Sequence, residues 1–274
     1  MTNIPRSGLN RRNLLRGAVF TSGAALLGGS LGTLGATAAS AQTSNPIQAA
    51  APELYWRGAW NARAPRSPIQ VLANGPSHIV VHHTATPNST DYSLDHGLNL
   101  SKSIQNYHMD SNGWIDTGQQ LTISRGGYVM EGRDRTPEAI NAGQHVVGSH
   151  VGNYNSTTIG IENEGTYTSA SPTQALTDSL VETLAWLCGA YGLNPSAIVG
   201  HRDFNATACP GDVLYAMLPD LRNRVTQTMG ALDIPIAAAR AAGENDPTYP
   251  AVPDDEPSHE FYHGPGRGPD DISH

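Results

Sequence analysis

A histidine and the second of only two cysteines stand eight positions apart in the stretch Gly200-His201-Arg202-Asp203-Phe204-Asn205-Ala206-Thr207-Ala208-Cys209-Pro210-Gly211. Imidazole nitrogen and thiolate sulfur are both good zinc donors, and a catalytic zinc takes three protein ligands and leaves a fourth position for water. The stretch reads as half of a metal site whose third ligand must come from elsewhere. On spacing alone a packing role for both residues is the commoner outcome, so the surrounding elements decide.

Those elements follow from the residue pattern. His78-Ile79-Val80-Val81-His82-His83-Thr84-Ala85 is a β-branched run bounded by Gly75-Pro76 and Pro87-Asn88, which marks a strand. Side chains alternate along it, so His82 and His83 point to opposite faces and only one serves a given site. Thr158 to Glu164 alternates likewise and sets Glu162 and Glu164 on one face. Between these strands, Asn141 to Ser156 is rich in glycine and asparagine and carries His145 and His150. Its composition suits a loop over a site.

Asp91 to Met109 reads as a helix capped by Thr90 or Asp91. Gln119 to Ile123 and Tyr128 to Glu131, joined through Gly126-Gly127, read as a hairpin. Ser171-Pro172-Thr173-Gln174 opens the clearest helix, with Ser171 as N-cap and Gln174 completing a capping box. Leu176, Leu180, Leu184, Leu187, Cys188 and Tyr191 follow at helical spacing, and Gly192 ends it. Cys188 is then a small buried hydrophobe, and the two cysteines are expected to stay unpaired. A last helical region spans Val213 to Met229, interrupted at Pro219.

The ends of the chain read differently. Asn10-Arg11-Arg12-Asn13-Leu14-Leu15-Arg16 is a twin-arginine pattern, followed by a weakly apolar stretch and a small-x-small site at Ala39-Ser40-Ala41. Residues 1–41 are thus expected to be an export signal, with a mature protein outside the cytoplasm and no membrane span left after cleavage. Losing Arg6, Arg11, Arg12 and Arg16 and no acid takes the formal charge from −8 to −12. So acidic a chain does not read as a nucleic-acid binder. Residues 42–53 read as a flexible leader, 54–230 as one domain and 231–274 as a disordered tail. The tail has almost no large apolar residues, too little to offset the entropy of ordering, and His259, His263 and His274 count there as incidental.

Taken in order, Trp60-Asn61-Ala62-Arg63, Ile79 to Ala85, Tyr107-His108, Gly113-Trp114-Ile115-Asp116, Glu131-Gly132-Arg133, Gly148-Ser149-His150, Ile159-Gly160-Ile161-Glu162 and Gly200-His201-Arg202-Asp203 with Thr207-x-Cys209-Pro210-Gly211 form a set. Over residues 54 to 229 the chain resembles the family of zinc N-acetylmuramoyl-L-alanine amidases and peptidoglycan recognition proteins. The resemblance implies a single α/β domain, with a central mixed sheet flanked by helices and the metal at one edge of the sheet, above the ends of the His82 and Glu162 strands. It implies Zn2+ held by His82, His201 and Cys209, Glu162 as general acid and base, and Thr207 as donor to the developing oxyanion. His150 and Arg133 become substrate-contacting or site-supporting residues or, equally, purely structural ones, Gln119 a substrate-contacting residue, His83 a supporting group and His108 a helix-end packing residue. Gln119 departs from the tyrosine of many animal-type enzymes, and glutamine cannot move a proton at neutral pH. The implied reaction is hydrolysis of the bond between N-acetylmuramic acid and L-alanine in peptidoglycan or muropeptides, and the protein is expected to be a monomer. The alternative is a noncatalytic peptidoglycan-binding module, against which the intact Cys209 weighs.

Overall fold

The computed structural model describes Ile47, residues 50–269 and Asp271. The twin-arginine segment and most of the leader lie outside these residues. The strands are β1 (Leu54–Tyr55), β2 (Val71–Leu72), β3 (His78–His83), β4 (Leu121–Ile123), β5 (Val129–Glu131), β6 (His145–Val146), β7 (Thr158–Asn163) and β8 (Ile198–Gly200). Six of them form a mixed sheet in the order β1-β5-β4-β7-β3-β8, and β2 and β6 make a separate antiparallel pair. Only β4 and β5 pair antiparallel within the large sheet.

Helices α1 (Leu94–Asn106), α2 (Thr136–Asn141), α3 (Gln174–Tyr191), α4 (Asp212–Ala216) and α5 (Leu218–Ala231) complete the architecture. One sheet face carries Ile79, Val81, Ile159, Ile161, Ile198, Leu121 and Ile123, all packed with Leu176, Leu180, Leu184 and Leu187 of α3 and Leu221, Val225 and Met229 of α5. On the opposite face Val80 and Val199 pack with Val151 and Phe204, and Gly97 brings α1 against Ser124 and Met130. The central parallel strands, covered on both faces, are near-continuous apolar runs for that reason. The expected α/β fold, with a mixed sheet between helices, is what the chain adopts.

Local signals placed most elements correctly, with three shifts. The cap of α3 is Thr173, whose hydroxyl accepts from Leu176 N at 3.1 Å and donates to Arg125 O at 2.6 Å. Ser171 is two residues too early because the second bond, to the β4–β5 turn, favours Thr173. The cap of α1 is Ser93, which accepts from His96 N, while Asp91 accepts from Ser93 N one turn earlier. The last helical region is interrupted as expected, but at Met217, and Pro219 lies in the first turn of α5, where its missing N–H costs nothing.

The segment after residue 231 corrects the expectation of a disordered tail. It runs back over the domain without regular structure, and Ile234 joins the core under α3. From there Tyr249 N donates to Asp203 O, Phe261 N to Thr84 O and Gly152 N to Pro265 O at 2.8–3.1 Å. Poor in apolar residues, the strap is held by hydrogen bonds to the domain's backbone, which composition does not register. Among the described residues no helix is long and apolar enough to cross a membrane, and both cysteines are free and buried.

If Thr173 is the cap, Thr173→Ala will lower stability by about 1–2 kcal/mol in urea unfolding and Ser171→Ala by close to zero. Equal losses would place the cap wrongly.

Candidate metal centre

His82 lies near the end of β3, in register with Glu162 of β7 and, one strand further, Thr122 of β4. In-register residues on neighbouring strands share a face, so His82 and Glu162 emerge side by side on the side away from α3 and α5. The site sits over the carboxyl ends of β3 and β7, the strands expected to carry it, beside the edge strand β8.

The other donors come from the loop that leaves β8. His201 follows Gly200 directly, and the chain returns so that Arg202 N donates to Cys209 O at 3.0 Å. Asp203 braces the loop by accepting from Gly200 N and from the Tyr215 hydroxyl, and Arg202 stacks over Tyr215 while pairing with Asp212. Gly211, at φ +88°, lies against the Tyr167 backbone where a side chain has no room. The result puts Cys209 Sγ 3.7 Å from His82 Nδ1 and the His201 ring 4.6 Å from that of His82, between centroids.

Hydrogen bonding settles which nitrogen of each ring is free. His150 Nε2 lies 3.2 Å from Thr158 O, and a carbonyl only accepts, so that nitrogen carries the proton. Its Nδ1 must then accept from His82 Nε2, 3.0 Å away, which leaves the lone pair of His82 on Nδ1, facing Cys209. In His201, Nε2 faces Asn205 Oδ1 and Pro265 O at 3.1 and 3.2 Å. Its Nδ1 is buried and has no partner. A buried, unpartnered nitrogen beside a thiol and a second free imidazole lone pair is what a metal-ligand set looks like from the protein side. His82, His201, Cys209 and His263 offer donor atoms all within 4.8 Å of one another, and His108, Glu162 and His263 form a second such group.

Burial governs the charges. Removed from water, His82 and His150 are held well below the usual imidazole range, with neighbouring histidines adding to the effect. His201 is pushed to about 3, chiefly by burial and then by His263. The Cys209 thiol is pushed well above its ordinary value, again by burial first. These shifts favour neutral imidazoles and a protonated thiol at neutral pH.

The remaining sequence candidates divide. Glu162 is buried, and its Oε1 lies 2.8 Å from His263 Nε2 without an aligned hydrogen bond. Glu164, on the same strand face, is tied elsewhere, Oε1 to His96 Nε2 and Oε2 to Arg125 N, both at 2.6 Å. Thr207 accepts from Cys209 N at 3.1 Å and donates to His263 O at 2.9 Å. His150 supports His82. Arg133 is fully buried, donating to Thr117 O and Ser149 Oγ, and Gln119 donates to Thr122 Oγ1 from an equally buried position. Both therefore brace loops, not a solvent-facing surface. His83 is on the opposite face and accepts from Tyr167 N. His108 accepts from Gly118 N and leaves Nε2 unpartnered next to the site. His263, dismissed with the tail, is the residue that sequence reasoning missed, and a lone histidine in a Gly-Pro-Gly context carries no signal for it.

Gly160 makes the His150 contact possible, since a Cβ there would meet the His150 ring at 2.6 Å. His150→Ala will weaken binding of a divalent metal about 10–100-fold in chelator competition, the usual cost of losing a ligand's hydrogen-bond partner. Unchanged affinity would remove His150 from the supporting chain.

The family model described as N-acetylmuramoyl-L-alanine amidase matches residues 72–212. A human N-acetylmuramoyl-L-alanine amidase is 34% identical over 169 residues, 61% of this chain and 28% of that protein. The Drosophila melanogaster peptidoglycan-recognition protein SC2 is 33% identical, covering 57% of this chain and 79% of its own length. A solved variant of Drosophila PGRP-LB in complex with tracheal cytotoxin superposes with a TM-score of 0.53 at 26% identity, over 60% of this chain and 92% of the other. The chain thus spans less than a third of the length of the human relative, and nearly the whole of the solved recognition domain. With the family match extending over the strands and loops that assemble His82, Glu162, His201 and Cys209, this chain belongs to the N-acetylmuramoyl-L-alanine amidase family.

Proposed function

We propose that the protein is a zinc-dependent N-acetylmuramoyl-L-alanine amidase that cleaves the amide between N-acetylmuramic acid and L-alanine in peptidoglycan, acting outside the cytoplasm after export. The observation that carries this reading is the convergence of His82 Nδ1, His201 Nδ1 and Cys209 Sγ beside the buried Glu162 carboxylate. Two imidazoles and a thiolate suit zinc and leave a position for a reacting molecule. A module that only bound its ligand would not need a thiol and two unsatisfied imidazoles brought together out of water. The tracheal cytotoxin complex of the PGRP-LB variant supports a muropeptide as the substrate class.

Zinc, when bound, supplies a Lewis acid that activates water and polarises an amide carbonyl. The chain's own residues handle the protons. Glu162 takes one from the attacking water and returns it to the departing alanine nitrogen. Thr207 turns its hydroxyl from His263 O toward the carbonyl oxygen on which charge develops. His150 keeps the proton on His82 Nε2, so that the Nδ1 lone pair stays available. Gln119 takes no proton, consistent with its amide being bound to Thr122.

Glu162→Gln preserves shape and removes the base, so kcat on a defined muropeptide will fall by at least about a hundredfold with zinc content unchanged. Glu164→Gln will cost stability in denaturant unfolding and little in kcat once folded. A reversed pattern would mean that the strand's register against the metal has been misread.

The protonation states give an independent check. At pH 7 both ligand imidazoles are already neutral, their values lying below that pH, while the thiol, raised above it, still holds its proton. Titrating metal-free protein with zinc in weak buffer will release about one proton per site, from Cys209. Cys209→Ser will bind zinc weakly and release close to none. Release of more than two, beyond what Cys209 and one zinc-bound water can supply, would show that the histidines are protonated beforehand and the ligand set is wrong.

A further inference from the structure

The strap that follows α5 ends in the site. Phe261 N donates to Thr84 O and Gly152 N to Pro265 O, Asn155 Nδ2 donates to Gly266 O at 2.8 Å, and Ala208 N donates to Glu256 Oε2 at 2.6 Å. These contacts grip both sides of the metal centre, from the loop after β3 to the loop that carries Cys209. Between them His263 is only 4% exposed. Its ring centroid is 5.1 Å from that of His82 and 5.6 Å from that of His201, and it contributes a donor atom to the four-residue cluster with His82, His201 and Cys209.

The fit is specific. Gly264 has φ +110°, a region closed to most residues, and a Cβ there would meet Thr207 at 2.6 Å. A Cβ on Gly266 would meet the Trp114 ring at 2.5 Å. Next to them Glu162 Oε1 faces His263 Nε2, while His263 Nδ1 is buried and unpartnered. A carboxylate on one imidazole nitrogen and a free lone pair on the other is the arrangement by which proteins prepare a histidine to bind a metal. The strap also takes the Thr207 hydroxyl through His263 O and reaches His201 through Pro265 O. Two groups that the proposed reaction needs free, the Glu162 carboxylate and the Thr207 hydroxyl, are thus engaged by one segment, which lies beyond the family match ending at residue 212.

We propose that His263 is a fourth metal ligand and that the strap around it is a built-in inhibitor. With His82, His201 and Cys209 it closes the coordination sphere, so the full chain is a latent form. Activity requires His263 to leave, freeing the fourth position, the Glu162 carboxylate and the Thr207 hydroxyl together. A closed four-ligand sphere is the pattern of structural zinc sites, an open one that of catalytic sites. Here one histidine converts one into the other. The inference rests on the amidase reading, and its test separates the two.

Zinc K-edge X-ray absorption on the zinc-loaded mature protein counts the ligands directly. Three imidazoles and one sulfur are expected for the wild type, and two imidazoles, one sulfur and one oxygen for His263→Ala. If the open state is populated at about 1–10%, His263→Ala will raise muropeptide hydrolysis about 10–100-fold. Gly264→Val, which strains the strap without removing its imidazole, will shift both readouts in the same direction. A wild-type spectrum with two imidazoles and one oxygen overturns the proposal while leaving the amidase reading intact. Three imidazoles with no gain of activity in either variant overturns latency. Absence of stoichiometric zinc from all three proteins would sink both the proposal and the reading beneath it. The wild-type spectrum decides the ligand set even if a variant fails to fold.

Discussion

The parallel, in-register pairing of β3 with β7 is the constraint on which the rest depends. It aligns His82 with Glu162, and the period of two along each strand decides what lies on either side of them. Odd positions of β3 and β7 send Ile79, Val81, Ile159 and Ile161 into the core with α3 and α5. The intervening positions put Val80, His82, Gly160 and Glu162 on the side of the site. A slip of one residue would exchange the two sets, burying an imidazole and a carboxylate among leucines. The apolar face therefore holds the register, and the register holds the chemistry.

On the site face the sheet tolerates an unusual density of polar groups out of water. His82, His108, His150, His201, His263, Glu162 and Cys209 are all buried. A buried imidazolium or carboxylate without a partner is costly, so the group stays neutral or finds one. The hydrogen-bond chain from Thr158 O through His150 to His82 satisfies one part of the cluster and orders the tautomers. The unpartnered nitrogens of His108, His201 and His263 are the part left over, a deficit that a cation would relieve. Perturbed groups gathered in one place are a mark of functional sites, and here the perturbation has a visible cause in the small residues, Gly160 and Gly211 above all, that let the elements close over it.

Legibility in the sequence varied with the range of the interaction. Strand β3, helix α3 and the β4–β5 hairpin were readable because their signals are local: a β-branched run, a heptad-like leucine spacing, a glycine turn. The caps of α1 and α3 were misplaced by two residues or so, because serine and threonine candidates stood close together and the choice went to the one with a second, nonlocal partner. Helix α2 drew no reading at all, and strand β6 went unread inside what looked like a loop; both are short, and β6 is fixed by its pairing with β2. Arg133 was legible as a member of a motif and Gln119 as a departure from one, neither as a buried brace, since burial is decided by what else packs there.

What the sequence determined by itself was the family, the alternation that sets His82 apart from His83, and the types of donor available. Those depend on residue identity and on spacing along one element. Only the tertiary structure distinguishes the surroundings of Glu162 and Glu164, which share a strand face and differ in what other segments bring to them: His96 and the Arg125 amide tie up one, and the buried histidine cluster adjoins the other. It alone decided which nitrogen of each histidine is free, because a tautomer is fixed by the carbonyl or side chain opposite. It alone brought His263 to the site as well. Composition measures how much apolar surface a segment can bury, and the strap is held by backbone hydrogen bonds and by glycines that fit a groove, quantities that exist only once the groove has formed.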